Sequence, residues 1–261
     1  MKEITVDIDS DIREILKQGH TDENIYFLPT IQLSREDYVK VNKVLEISGG
    51  KWNRGKKGHV FASNEAAKAM IRIADQENVV DKKKTYQFFE TPKEVAEQMV
   101  ELADIRDEMM VLEPSAGHGA IAEAIARYDI EKPIYNVGLI LVDIDPEKCE
   151  VLEEKKIAPV VCADFLGTFA DEYGKFDRII MNPPFTKGQD AEHVFHAYSK
   201  CLENGGRLVS VMSGSIKFNQ QKKYQKVREL IEKNGEIIDL PEFSFKESGT
   251  NVNTVIVILN K

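Results

Sequence analysis

The sequence predicts an α/β protein: seven strands in a parallel sheet with helices on both faces, preceded by a small α+β domain. Three observations carry that expectation. From Thr85 onward, short apolar runs alternate with segments of helical periodicity, the pattern of strands joined by crossover helices. Before that point the pattern differs and reads as helix, basic hairpin, helix. Between the two lies Lys82-Lys83-Lys84, which reads as a linker and puts the boundary near residue 84, giving domains 1–84 and 85–261.

The elements follow in chain order. Ser34 can cap a helix whose apolar positions Tyr38, Val41, Val44 and Leu45 recur at helical spacing, and Gly49-Gly50 stop it. Two extended pieces around a glycine-bearing turn span residues 51–59, and a second helical pattern runs from Asn64 to about Gln76. In the second part the expected strands are 110–113, 137–142, 159–162, 177–181, 207–212, 236–240 and 252–259. The expected helices are 93–103, 120–127, 146–155, 191–202 and 224–233.

With 261 residues and 42% hydrophobic content, the chain can bury one substantial core and a small second one. No apolar run approaches about 18 residues, and the first residues lack the basic start and apolar stretch of a signal peptide, so a soluble, cytoplasmic protein is expected. Cys149, Cys162 and Cys201 are far apart and without paired spacing, and read as ordinary thiols. His193 and His196 read as surface histidines, and no metal is expected. The net charge of −9 argues against a protein that coats nucleic acid over its whole surface. Residues 1–84 hold 15 basic against 14 acidic side chains (+1), and residues 85–261 hold 20 against 30 (−10). Any contact with a polyanion is therefore expected to be local.

Val111-Leu-Glu-Pro-Ser-Ala-Gly-His-Gly119 has the form strand, glycine loop, helix, which brings backbone close to a ligand. It is neither a phosphate-binding Walker loop nor the full dinucleotide fingerprint, because no Gly-Lys-Ser/Thr follows and position 122 is Ala. Asp143 ends the next strand, where a carboxylate can accept both hydroxyls of a ribose; Asp145 is well explained as the start of a helix before Pro146. After the third strand, Asp164 could accept from an adenine amine and Phe165 could stack on its ring, although a turn and a core aromatic explain that pair equally simply.

The fourth strand runs into Asn182-Pro183-Pro184-Phe185. Two prolines cannot continue a helix and set a rigid extended corner, which holds the Asn carboxamide and the next carbonyl as a preorganised pair of acceptors. Such a pair suits an aromatic amine, whose lone pair is delocalised: acceptors on its two hydrogens stabilise the charge that develops on nitrogen. Phe185 offers a face for a flipped-out base.

These motifs resemble the class I S-adenosylmethionine-dependent methyltransferases, and among them the gamma-type N6-adenine DNA methyltransferases. The resemblance covers roughly residues 85–261 and rests on Phe89-Glu-Thr-Pro92, Glu113-Pro-Ser-Ala-Gly-His-Gly119, Asp143-Ile-Asp-Pro146, Ala163-Asp-Phe165 and Asn182-Pro-Pro-Phe185, in that order. Phe245 to Leu259 looks like the last hairpin of that family. The resemblance implies a Rossmann-like seven-stranded methyltransferase sheet and S-adenosylmethionine as cofactor. The residues it implies for cofactor binding are Phe89, Thr91, Pro92, Glu113, Ser115, Ala116, Gly117, Gly119, Asp143, Ile144, Asp164, Phe165 and Asn182. Asn182, Pro183, Pro184 and Phe185 are implied as the catalytic set. The expected reaction is direct in-line transfer to N6 of adenine in DNA. The alternatives are the same chemistry on an RNA base or a protein glutamine, and a non-catalytic DNA-binding regulator on this scaffold.

Restriction-type members of that family commonly carry a large C-terminal recognition domain, and this chain ends with its last strand, so specificity is expected to come from elsewhere. Residues 47–64 contain no Asp or Glu while holding Lys51, Trp52, Arg54, Lys56 and Lys57. Clustered cations neutralise phosphates and an aromatic can stack or wedge, which makes this hairpin the candidate nucleic-acid contact; a solvated hairpin with Trp52 packed in a small core is the plain alternative.

Overall fold

The structure is a computed structural model that describes residues 5–61, 64–80, 89–131, 133–167, 169–246 and 252–261. The chain divides into two compact units, Met1–Gln87 and Phe88–Lys261. The expected linker at Lys82-Lys83-Lys84 lies outside the described residues.

The first unit runs β1 (Thr5–Asp7), α1 (Ser10–Lys17), β2 (His20–Asp22), β3 (Ile25–Phe27), α2 (Arg35–Ile47), β4 (Lys51–Asn53), β5 (Gly58–Val60), α3 (Asn64–Ile73) and β6 (Asn78–Val80). Ser34 does cap α2, its hydroxyl accepting from the Asp37 amide at 3.1 Å, which satisfies one of the orphan donors of the first turn. Gly49, with φ of 97°, ends that helix in the left-handed region that favours glycine. Helix α3 stops at Ile73, short of the expected Gln76. Helix α1 and the strands β1, β2, β3 and β6 were not expected from the sequence. β2, β3, β5 and β4 form an antiparallel sheet in that order, and β1 pairs with β6. Ile12, Leu16, Tyr26, Val41, Leu45, Phe61 and Met70 fill the core of this unit.

The second unit runs α4 (Lys93–Ala103), β7 (Met110–Pro114), α5 (Ala120–Glu131), β8 (Gly138–Asp143), α6 (Pro146–Lys155), β9 (Val160–Cys162), α7 (Phe169–Tyr173), β10 (Phe176–Met181), α8 (Gln189–His196), β11 (Leu202–Ser213), α9 (Lys222–Asn234), β12 (Gly235–Asp239) and β13 (Thr254–Asn260). The seven strands form one sheet in the order β12-β13-β11-β10-β7-β8-β9. The expectation of an all-parallel sheet is corrected at one strand: β13 lies antiparallel between β11 and β12, while β9, β8, β7, β10 and β11 are mutually parallel. A strand buried on both faces is apolar throughout, so its pattern does not reveal its direction.

Successive side chains of these strands point to opposite faces, and the two cores divide accordingly. Val111, Ile180, Val209 and Ile256 pack under α4 and α5; Leu112, Ile179, Leu208 and Val257 pack under α8 and α9. Each such side chain, fully buried, contributes about 1.5–3 kcal/mol relative to exposure. The sheet is thus held on both sides. The carboxyl ends of β7, β8, β9, β10 and β11 open onto one edge, where folds of this kind bind ligands.

Candidate active site

The glycine loop at the end of β7 is held by its neighbour strand. The Val142 carbonyl accepts from the amides of both Ser115 and Ala116 at 2.8 Å, and Gly117 N–H donates to Asp143 Oδ2 at 2.8 Å. Ser115 sits at φ of 99°, a strained conformation for a residue with a side chain. Gly119, at φ of 85°, has no room for more: a Cβ there would come within 2.9 Å of Leu152 Cδ2. Lys155 closes the loop from outside, its Nζ donating to the His118 carbonyl and to Glu123 Oε1 at 2.5 Å each.

Asp143 is buried, and its other oxygen, Oδ1, accepts from the Asp145 amide at 2.9 Å. Its carboxylate therefore braces the loop. Asp145 caps α6 by accepting from the Glu147 amide at 3.1 Å, as its place before Pro146 suggested. Glu113 is also buried, and burial pushes its carboxyl well above the usual carboxylate range. One of its oxygens accepts from the Ala122 amide; Oε2 has no partner among the described residues.

Asn182 leaves β10 pointing at the segment before α4. Its Nδ2 donates to the Phe89 carbonyl at 3.1 Å and to Thr91 Oγ1 at 3.0 Å. A carbonyl only accepts, so the nitrogen must be the atom on that side, and Oδ1 is turned the other way as a fixed acceptor. Pro183 is buried, and Phe185 is half-buried against the α4–α5 core. Beyond it Lys187 and Gly188, both at positive φ, turn the chain into α8.

A small open cleft is lined by Phe89, Glu90, Thr91, Ser115, Ala116, His118, Ala120 and Asn182. It joins three of the sequence motifs that were expected to act together. Pro92, Glu113, Gly117, Gly119, Asp143, Ile144, Asp164 and Phe165 do not line it. Asp164 is exposed and accepts from the Leu166 amide at 3.0 Å. Phe165 is 4% exposed, and its ring packs against His193 and His196 at centroid distances of 6.0 and 5.0 Å. It is a core aromatic in this conformation, not an open stacking face.

The surface reading of His193 is corrected. His193 is buried rather than on the surface, its Nδ1 against the Gln189 carbonyl at 2.8 Å, and burial lowers its pKa. Three further residues escaped the sequence reading. His118 and Glu90 lie in the cleft wall, and burial lowers the imidazole pKa. Asp190 is fully buried beneath the loop that follows Phe185, with Oδ2 accepting from the Ser213 amide at 3.0 Å and Oδ1 from the Tyr224 hydroxyl at 3.1 Å. An acid in the first turn after Gly188 was visible as a helix start, but its two partners lie 23 and 34 residues away.

The basic hairpin of the first unit, taken by itself, stands in solvent. Lys51, Arg54, Lys56 and Lys57 are exposed, and Trp52 is 47% exposed, with an edge contact to buried His59 at 5.2 Å. Among the described residues no group of three or more His, Cys, Asp or Glu side chains could hold a metal ion. None of the described helices is long and apolar enough to cross a membrane.

The carboxyl edge of the sheet fits S-adenosylmethionine: a backbone cradle at a glycine loop, carboxylates at the ends of β7 and β8, and a buried carboxylate oxygen on Glu113 without a partner among the described residues. Residues 96–238, more than half of the chain, match the Methyltransferase small domain family. No curated protein matches the sequence. Similar solved structures include a type I restriction-modification system methyltransferase subunit from Streptococcus thermophilus, 16% identical, TM-score 0.58, covering 76% of this chain and 49% of that one. A modification subunit of a candidate type I restriction enzyme from Vibrio vulnificus is 15% identical, TM-score 0.51, covering 90% and 61%. A candidate class I S-adenosylmethionine-dependent methyltransferase from Listeria monocytogenes is 17% identical, TM-score 0.52, covering 97% and 79%. The chain thus spans about half to three-fifths of the length of the first two relatives. On the family match this chain belongs to the Methyltransferase small domain family, and its seven-stranded sheet has the fold of the class I S-adenosylmethionine-dependent methyltransferases.

Proposed function

We propose that the chain methylates N6 of adenine in DNA, with the target base turned out of its stack into the cleft beside Asn182. The observation that carries this reading is the clamp on the Asn182 carboxamide: Phe89 O and Thr91 Oγ1 hold its nitrogen, which leaves Oδ1 preset as an acceptor. An aromatic amine has two hydrogens to place. Asn182 Oδ1 takes one and the Pro183 carbonyl the other, so the base is oriented and the charge developing on its nitrogen is stabilised without reorganisation. Phe185 supports the ring from its exposed part.

When bound, S-adenosylmethionine supplies an electrophilic methyl group on its sulfonium. Thr91, Pro92, Glu113 and the loop 115–119 hold its methionine end in this reading, and Asp143, Ile144, Asp164 and Phe165 hold its ribose and adenine. Phe165 can contribute only through contact at its edge unless its ring leaves the imidazoles. Likeness in fold to the type I restriction-modification subunit, together with the exposed basic hairpin, supports DNA as the acceptor. That hairpin, in an N-terminal domain of residues 1–84, is proposed to contact phosphates through Lys51, Arg54, Lys56 and Lys57 and a base or groove through Trp52.

The test is a comparison of Asn182→Ala with the parent chain by single-turnover methylation of an adenine-containing duplex and by calorimetry with S-adenosylmethionine. The reading expects transfer to fall by about 10²–10³-fold, the usual effect of removing one preorganised hydrogen-bonding group, with cofactor affinity changed by less than about threefold. Transfer at the parental rate would remove Asn182 from the chemistry.

A further inference from the structure

The second unit is strongly acidic, yet residues 204–228 contain no Asp or Glu and carry six cations: Arg207, Lys217, Lys222, Lys223, Lys226 and Arg228. All but Arg207 lie after the carboxyl end of β11, on the turn Gly214–Lys217 and on the first two turns of α9. That end neighbours the carboxyl end of β10, from which Asn182 emerges. Lys223 couples the two places directly, because its Nζ donates to the carbonyl of Lys187, five residues beyond Asn182, while pairing with Glu192 at 2.9 Å. Lys187 itself is exposed and carries a further positive charge to the same margin. Lys222 is exposed, and Lys226 reaches over the Phe195 ring at 5.1 Å. Between the turn and the helix, Phe218 is 70% exposed and offers an open ring face beside these cations.

We infer that this margin, centred on Lys187, Phe218, Lys222 and Lys226, is the surface on which the DNA strand carrying the target base lies. The inference rests on the proposed function and extends it to a second contact, separate from the basic hairpin. Charge complementarity selects the occupant. Lys217 and Lys223 have Asp239 and Glu192 beside them, while among the described residues no ion pair is found for Lys187, Lys222 or Lys226. A phosphodiester backbone is the polyanion that the catalytic edge of this reading must receive. Phe218 supplies the stacking face that a base next to the extruded one loses when its neighbour leaves.

The experiment uses the full chain and a duplex of about 25 base pairs, with binding followed by fluorescence anisotropy between about 50 and 200 mM salt. Lys222→Glu with Lys226→Glu is expected to flatten the slope of log affinity against log salt by roughly two, near 0.9 for each phosphate that is no longer neutralised. KM for DNA should rise about tenfold, while kcat at saturating DNA and affinity for S-adenosylmethionine stay unchanged. Because Lys226 leans on Phe195, Lys222→Glu alone is the second variant. A glutamate in the first turn of α9 suits the positive end of the helix, so its thermal stability should hold or rise while the slope falls by about one. Phe218→Ala should weaken binding at least about fivefold with little change in slope. Unchanged slopes in variants of a chain that methylates adenine in DNA overturn the surface and leave the function standing. A parent chain that labels only RNA or protein overturns the function, and the surface with it.

Discussion

The cleft region of the second unit and the basic hairpin of the first place their polar side chains in opposite ways. In the second unit Asp143, Asn182 and Asp190 are buried or half-buried, and each is held by two hydrogen bonds to groups distant in sequence or in a neighbouring element. In the first, Lys51, Trp52, Arg54, Lys56 and Lys57 stand on an edge hairpin with their charged ends in water. The difference separates two kinds of work. A fixed acceptor acts through geometry, so single changes cost orders of magnitude; an exposed cation acts through screened charge, so changes are graded and salt-dependent.

The largest expected effect is therefore the loss of transfer in Asn182→Ala. Asn182→Asp sharpens it: the carboxylate keeps an acceptor but loses the donor to Phe89 O and Thr91, so a misaligned acceptor should leave transfer reduced at least about tenfold.

Next comes Asp143. Asp143→Ala leaves the Gly117 and Asp145 amides without their acceptor, and hydrogen bonds to a charged group contribute about 1.5–3 kcal/mol each. Cofactor affinity should fall by about 10–100-fold by calorimetry, and thermal stability should fall with it. Loss of neither would mean that Asp143 does not hold the loop.

The hairpin should give a smaller and differently shaped effect. Reversing Lys51, Arg54 and Lys57 is expected to flatten the salt dependence of DNA binding by about three, with kcat at saturating DNA preserved. A fall in kcat instead would break the division between the units.

The smallest effects are in pH. Glu113 has a carboxyl raised by burial, so the folded chain holds that proton where the unfolded chain releases it. Its stability is present at acid pH and is lost as pH rises through the folded value. Glu113→Gln should remove that loss and raise Tm by about 2–4 °C at pH 8 without cofactor. His59 behaves in reverse. It is fully buried, its Nε2 lies 2.8 Å from Asn42 Oδ1, and desolvation lowers its pKa. The unfolded chain therefore binds the proton first, and the first unit should lose stability as pH falls below about 6.5. Melting of the two units across pH 5–8, followed by Trp52 fluorescence and by total heat absorption, would show these opposing slopes.

Much of the second unit was legible because its strands are apolar runs bounded by turn residues, and Lys93–Ala103 and Pro146–Lys155 form helices over the expected residues. Short edge elements of the first unit were not. β2 is His20-Thr-Asp22, with no apolar alternation, and α1 buries only Ile12 and Leu16. The site shows the same limit. Asn182 and Thr91 were each visible as motif residues, but the hydrogen bond between them spans 91 positions and exists only in the fold. Phe165 shows the complementary limit: a ring after a strand looks the same in sequence whether it faces ligand or the imidazoles of α8.

The most direct test of the central claim is to supply labelled S-adenosylmethionine to the parent chain with DNA, RNA and protein in parallel, and then to locate the label in the modified polymer. The account predicts N6-methyladenine in DNA, absent with Asn182→Ala. Label confined to RNA or protein, or DNA label that persists in that variant, would contradict it.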